Sequence, residues 1–581
     1  MRGSAIRAFT VAVCVALLFA PRVSSAQAGG SDAALTSLAQ SYFAQTWQQN
    51  PGQATGIGIH TYDTRLGSFS ASSYAQRIAT TQRFLTSLHG IDRRKLSAEA
   101  SYDYSILEGR LKANLLSLQT ERDWRHHPSQ YTSAASGAVF SLIKREFAPI
   151  DVRMRDVIAR EEEIPAVLRD ASNNITTVDA TSAQIEREDI KGAAVFFTSV
   201  VPSAFSGVTD AALQARFEKS NAASIDAIRK FGAAMDAGPF AHPSGTYAIG
   251  PRVFQERLQL QELAPISLDQ YERVGLAALA QTRAQFVAIA QKIDPAKTPM
   301  AVAAMIGADH PTAEQLLPTA QRDLEELRAF VIAHRIVTLP SDNDIRVVPT
   351  PVFARQTTFA SMDSPGPLER VATQAYYNVT PVETNWSRER QEGHLSFFNN
   401  YYRPIVSAHE VMPGHYVNFA IAKHEKLSLI RRLLSSPSYA EGWAHYDEQM
   451  MVDEGWGNGD PKVRLAQLQG ALLREARYIV GLREHTQGMT VDQATKFFED
   501  NAFVAQEPAH REALRGTQDP LYGYYTLGKL ELLKLRRDYK KKVGAAFTLQ
   551  KFHDAYLAHG DPPISIVRKE LLGDSDDGKL L

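Results

Sequence analysis

The chain holds 581 residues, 44% of them hydrophobic, enough to bury one very large core or several ordinary ones, so a disordered tail or a minimal stapled module is excluded. Its 63 Lys and Arg nearly cancel 64 Asp and Glu, leaving a formal charge of −1 and no basic excess of the kind that marks a nucleic-acid binder. The lone cysteine, Cys14, leaves no disulfide and no Cys-ligated metal site to expect.

The first residues carry Arg2 and Arg7, then an apolar stretch from Ala8 to Ala20, then Pro21 and a small-residue end at Ser24, Ser25 and Ala26. This predicts a secretory signal peptide over 1–26, cleaved after Ala26 or Ala28, with an apolar run too short to span a bilayer. Cys14 sits mid-stretch without the small-residue approach of a lipoprotein cleavage site, so no lipid anchor is expected. Losing Arg2, Arg7 and Arg22 with no acid lost takes the formal charge from −1 to −4. The expectation is a soluble protein, periplasmic or secreted, without membrane insertion after cleavage.

Apolar residues recurring every three or four positions predict helices over Ser73 to His89, Ser97 to Leu118 and Asp151 to Asn173. Gly238 to Pro251 clusters Gly, Pro and Ser and reads as a break. Ser267 with Gln270 makes a capping box whose helix should run to about Ile293, and another helix should occupy Ala320 to Arg335. Ile345 to Phe353 is β-rich but interrupted by two prolines, which confines it to an edge strand or an extended segment. Ser361 to Pro367 is turn-rich, and Gln374 to Val379 is again extended. Helical periodicity returns from Ile405, with Leu465, Leu468, Leu472, Ala476 and Ile479 as one stripe and Thr490 with Gln493 as a second capping box; Lys540, Lys541 and Lys542 read as a solvated helix end. The expected fold is mainly α: a helical lobe over 27–264, a catalytic lobe over 265–581, and a small β element beside the active-site helix.

The chemistry concentrates in His409-Glu410-Val411-Met412-Pro413-Gly414-His415. Histidines at i and i+4 lie about 40° apart around a helix and can share one zinc ion. Six positions apart on an unbroken helix they would sit about 240° apart and roughly 9 Å along the axis, too far to chelate. Pro413 removes a helical hydrogen bond and Gly414 accepts unusual backbone angles, so the helix should kink and bulge, returning His415 to the face of His409. A blander reading has His409 packing against a neighbour and His415 following a helix-ending Pro-Gly.

Downstream, Ser438 to Gln449 reads SYAEGWAHYDEQ. Glu441, 26 residues after His415, is placed to supply the third ligand of a His, His, Glu zinc site with a fourth position open to water. It could instead form a capping box with Ser438. His445 and Glu448 share its helical face and could support the ligands or replace one. Given the metal, Glu410 is the general base that takes the water's proton and hands it to the leaving amine.

HEVMPGH, EGWAHYDEQ, LLREARYIVGLREHTQGMT and PLYGYYTLGK, in this order, resemble the motifs of a bacterial family of exported proteins of unknown function. That family looks like glutamate-ligand zinc peptidases, distantly similar to mostly helical carboxypeptidases and oligopeptidases. The recognisable motifs run from about Tyr376 to Arg536. The resemblance implies His409, His415 and Glu441 as Zn2+ ligands and Glu410 as base, with His485 and Tyr525 stabilising the oxyanion. The chain departs from the family pattern at Val411, Gly481 and Met489.

The expected function is an exported zinc metallopeptidase acting on peptides, with extended segments before Tyr377 pairing with substrate backbone. A metal-dependent hydrolase of other amides or esters, and a non-catalytic periplasmic peptide-binding protein, are the alternatives.

Overall fold

Regular apolar spacing and strong N-caps translate directly into long helices. The computed structural model describes residues 25–341, 345–351, 355 and 358–581, and the chain is mainly α. The expected signal peptide up to residue 24, Cys14 included, lies outside the described residues, and the expected cleavage points fall in the first turn of helix Ser25–Gln49. Among the described residues no helix is long and apolar enough to cross a membrane.

The predicted helices form at Ala71–His89, Ala98–Leu115, Ile150–Asn174, Leu268–Ile293 and Leu316–Ala333. Ser267 caps Leu268–Ile293 through the Gln270 amide, 3.2 Å away, and Thr490 with Gln493 closes a complete capping box. The break is where Gly and Pro put it, between helices Ala211–Ala237 and Gly250–Glu262. Leu465, Leu468, Leu472, Ala476 and Ile479 are all buried along helix Pro461–Thr486.

The β element is one three-stranded sheet: β1 (Ile345–Pro349), β2 (Ala360–Asp363) and β3 (Ala375–Val379), in the order β1-β3-β2. β1 runs parallel to β3, and β2 runs antiparallel to it with Met362 opposite Tyr377. The Pro-rich β1 is an edge strand, as Pro349 requires. β2 is a correction: Ser361 to Asp363, read as turn, pair with β3, because a four-residue strand is decided by its partner and carries no periodicity of its own.

The core gathers in clusters that cross residue 264. One runs from Phe254 and Leu258 through Tyr271 to Leu472 and Tyr522, and another joins Leu35, Tyr42 and Leu107 to Ile430, Leu434 and Ile566. The cluster beneath the motif residues unites Tyr377, Ala408, Val411, Met412, Trp443 and Tyr446. Each large apolar side chain buried there contributes roughly 1.5–3 kcal/mol. A buried bidentate pair, Arg403 to Asp323 at 2.6 and 3.1 Å, ties the start of helix Arg403–Glu410 to helix Leu316–Ala333.

His60 clasps the segment after β2 to the N-terminal half. Its Nδ1 pairs with Asp63 at 2.8 Å and its Nε2 with Glu369 at 3.0 Å, while the ring stacks on Phe147. The Leu368 amide donates to the Ile57 carbonyl at 2.9 Å beside it. Burial pushes the imidazole pKa down, but the hydrogen bonds to Asp63 and Glu369 outweigh it and the net shift is upward. A raised folded-state value contributes stability that is fully present below the unfolded imidazole's pKa of about 6.5 and is lost as pH rises through the folded value. The difference in unfolding free energy between the native protein and His60→Gln, measured by urea titration, should therefore be largest near the acid end of that window and shrink on raising the pH. A difference that grows with pH would contradict the clasp.

Candidate metal centre

The two histidines meet because the helix ends between them. Helix Arg403–Glu410 stops after the glutamate, and a new helix, His415–His424, starts at the second histidine. The expectation of a bulged, continuous helix is thus corrected to two helices joined by a four-residue turn. The turn holds itself by backbone: the Val411 and Met412 amides donate to the Ser407 carbonyl at 2.9 and 3.2 Å, and Gly414 donates to Ala408 at 2.9 Å. Gly414 is required by close approach, since a Cβ there would lie 1.8 Å from the His409 carbonyl oxygen. The result matches what the spacing demanded: the rings lie 4.9 Å apart between centroids and nearly perpendicular.

Glu441 arrives on helix Pro437–Asp453, whose Trp443 donates its indole N–H to the Pro413 carbonyl at 3.0 Å. This bond locks the EGWA segment onto the HEVMPGH turn. Ser436 stands at the N-cap, and Ser438 instead donates to the buried Glu262 carboxylate at 2.5 Å, so Ser438 and Glu441 do not form a capping box. Helix Tyr524–Val543 crosses behind at glycine contact: a Cβ on Gly442 would lie 2.5 Å from the Gly528 Cα.

One ligand atom from each of His409, His415 and Glu441 lies within 4.8 Å of the others. Both Nε2 atoms stand 3.4 Å from Glu441 Oε2, yet this buried oxygen has no hydrogen-bond partner. Tetrahedral ligands at 2.0–2.1 Å from zinc are separated by about 3.4 Å, so the spacing suits a shared cation better than a hydrogen bond. His409 is buried, while the side chains of His415 and Glu441 are 21% and 25% exposed, which leaves one side of the triad open to solvent. The donor set of two imidazoles and one carboxylate suits zinc.

Behind His409 lies a fixed chain of charges. Its Nδ1 meets Glu448 Oε1 at 2.8 Å, which directs Nε2 toward the triad. Glu448 also pairs with Arg474 at 2.8 Å and with His445 Nδ1 at 3.3 Å. Burial opposes ionisation of Glu448, but Arg474 and the two histidines outweigh it and hold its carboxyl well below the usual range. Glu448 and His445 thus support the ligands from behind; neither joins the triad. Burial pushes His445 down to about 3, so it stays neutral.

Glu410 sits beside the ligands, and its Oε2 accepts the Met362 amide of β2 at 2.8 Å. Burial pushes its carboxyl upward, in the direction a general base needs. Tyr525 lies within an arginine cluster: its phenol oxygen accepts from Arg515 at 3.3 Å, and the Arg474 and Arg477 guanidinium carbons stand 5.6 and 5.4 Å from its ring centre. His485 is not brought to the triad. It is buried, its Nε2 donates to the Gly516 carbonyl at 2.9 Å, and its Nδ1 accepts the Ile249 amide at 3.4 Å. It lies eleven residues beyond Arg474 on helix Pro461–Thr486, about 16 Å along the axis, which corrects its assignment as an oxyanion donor.

Sequence reasoning passed over Arg474, Met362, Gly442 and Gly528. Their places inside the quoted motifs were the available signal for Arg474, Gly442 and Gly528; nothing local marks a backbone amide. Two substitutions test the support. Glu448→Gln should weaken zinc affinity about 10- to 100-fold, as removal of a ligand's orienting carboxylate does, and should also lower stability, because Arg474 loses its buried counter-charge. Gly414→Ala should abolish tight binding by displacing the turn. Competition with a chromogenic chelator reads both, and unchanged affinity in either would refute the assigned geometry.

Among curated proteins, none matches this chain. Two solved structures share its fold over nearly their full length. One, described as a "putative lipoprotein of unknown function" from Shewanella oneidensis, is 25% identical with a TM-score of 0.78, covering 93% of this chain and 99% of its own. The other, from Colwellia psychrerythraea and also described as a "putative lipoprotein", is 18% identical with a TM-score of 0.80, covering 94% and 99%. Residues 51–571 match the family described as bacterial protein of unknown function (DUF885), and the chain belongs to that family.

Proposed function

We propose that this protein is an exported zinc-dependent metallopeptidase that hydrolyses peptide bonds in peptides or oligopeptides. The observation that carries the reading is the convergence of His409, His415 and Glu441 on one point, with Glu410 next to it and one side open. Zinc held there would lower the pKa of a bound water to about 7 and polarise the scissile carbonyl. Glu410 takes the proton of the attacking water and delivers it to the leaving amine, a transfer that contributes about 10²- to 10⁴-fold. The Met362 amide steadies the Glu410 carboxylate between the two transfers. β2 is the edge of the sheet on the Glu410 side, so an extended peptide laid along it would bring its backbone past the base. Glu448 keeps His409 in the tautomer that presents Nε2. The description of the Shewanella oneidensis neighbour as a "putative lipoprotein" supports an exported protein.

Elemental analysis and hydrolysis of a mixed peptide library test the reading. The native protein should bind one zinc per chain and lose activity on chelation, and Glu410→Gln should keep the metal while losing at least about 10²-fold in kcat/KM. A metal-free protein at micromolar zinc, or a Glu410→Gln variant as active as the native one, would refute it.

A further inference from the structure

A cavity of about 440 Å³ opens in the N-terminal half and shares no lining residue with the triad or Glu410. Helices Ser25–Gln49, Ala71–His89 and Ala98–Leu115 wall it, and Leu433, Leu434 and Ser435 close one side. Its size falls within the range of roughly 300–1,000 Å³ that small-molecule sites occupy. Ser117 and Leu118 also face it, where the end of helix Ala98–Leu115 widens into a π-helical turn over Leu116–Glu121. Such turns are rare and recur at functional sites.

The charge in this cavity is of one sign. Arg77 and Arg110 line it, and no acidic residue does. Arg77 donates from Nη2 to the Gln49 and Ser68 carbonyls at 3.2 and 3.0 Å, and its guanidinium stands 5.4 and 5.1 Å from the ring centres of Phe69 and Tyr74. Arg110 donates to the Ser435 carbonyl at 3.5 Å. Neutral groups thus hold both cations, and among the described residues neither forms an ion pair with a carboxylate. Arg431, on the helix that leads to Leu433, shows the contrast: it is bound to both Asp103 and Glu570 at 2.7 Å. Burial holds the Arg77 pKa below its usual value with no carboxylate to offset it, whereas the two acids push Arg431 upward. A cleft lined by one sign of charge concentrates the opposite ion.

Beside the arginines the lining is aromatic. Phe43 and Trp47 stack at 6.2 Å between centroids, and Phe84 meets Tyr42 edge-on at 5.5 Å. A guanidinium fork pairs with the planar or tetrahedral oxygens of a carboxylate or phosphate, and ring faces pack against hydrocarbon. We infer that this cavity is a second binding site, for a small organic anion whose carboxylate or phosphate head pairs with Arg77 and Arg110 and whose apolar body packs against Phe43, Trp47 and Phe84. The inference goes beyond the peptidase reading and needs neither zinc nor hydrolysis.

Calorimetry on the full-length protein tests it with hexanoate, hexyl phosphate, hexanamide and inorganic phosphate. At least one hexyl anion should bind at one site per chain, roughly 10- to 100-fold tighter than hexanamide, and the tighter of the two identifies the head as carboxylate or phosphate. Arg110→Met should bring that ratio close to one, and Arg110→Lys, which keeps the charge but not the fork, should restore it only in part. Binding should perturb tryptophan fluorescence in the native protein and not in Trp47→Phe. No binding of either hexyl anion at millimolar concentration, equal affinity for hexanamide, or a ratio that survives Arg110→Met would overturn the inference. Inorganic phosphate binding as tightly as hexyl phosphate would remove the apolar body from it. The same titrations after chelation separate this site from the metal centre: unchanged affinity upholds the cavity whatever becomes of the peptidase reading, and binding lost with the metal would place the anion at the triad and overturn the inference.

Discussion

The four-residue turn between Glu410 and His415 is the constraint on which the site depends. A helix cannot place two side chains six positions apart on one ion, so the chain must abandon the helix and resume it at once. It does so where a backbone carbonyl, that of His409, comes so close to residue 414 that only a glycine fits. Pro413 then serves twice: it ends the first helix and leaves its carbonyl free to accept from Trp443. The bond from Trp443 ties the helix that delivers Glu441 to the helix pair that delivers the histidines, and its ring is buried in the same core as Val411 and Met412. Core packing and ligand geometry are thus one arrangement.

Around this turn the polar groups are layered by burial. His409 and Glu448 are enclosed, and the charge of Glu448 is balanced by Arg474 and hydrogen-bonded by two imidazoles, the condition under which a buried carboxylate is tolerable. His415 and Glu441 reach the surface side, where a substrate can approach. The Glu410 carboxylate stands between these layers and a sheet edge, held by a backbone amide that no side-chain substitution removes.

Helices were legible in the amino-acid sequence because their signals are local. Ser267, Thr490 and Gln493 cap the helices they were read to cap, and the Leu465 to Ile479 stripe is buried as its period requires. The ligand types in HEVMPGH and EGWA were legible too, since imidazole and carboxylate carry their chemistry wherever they stand. β2 was not legible, because four residues with two turn-formers become a strand only when β3 offers them hydrogen bonds. His485 was carried by resemblance alone, and its place eleven residues past Arg474 on a straight helix puts it out of reach.

What the sequence determined by itself is therefore the helical class, the breaks at proline and glycine, and a set of imidazole and carboxylate residues of the type that can hold a metal ion. Tertiary structure alone decided that a turn and not a bulge joins the histidines, and that Glu448 stands behind His409 instead of joining the triad. The physical reason is that capping and periodicity act over a few residues along the chain, whereas the convergence of three donor side chains and a buried counter-charge are properties of distances between segments tens of residues apart.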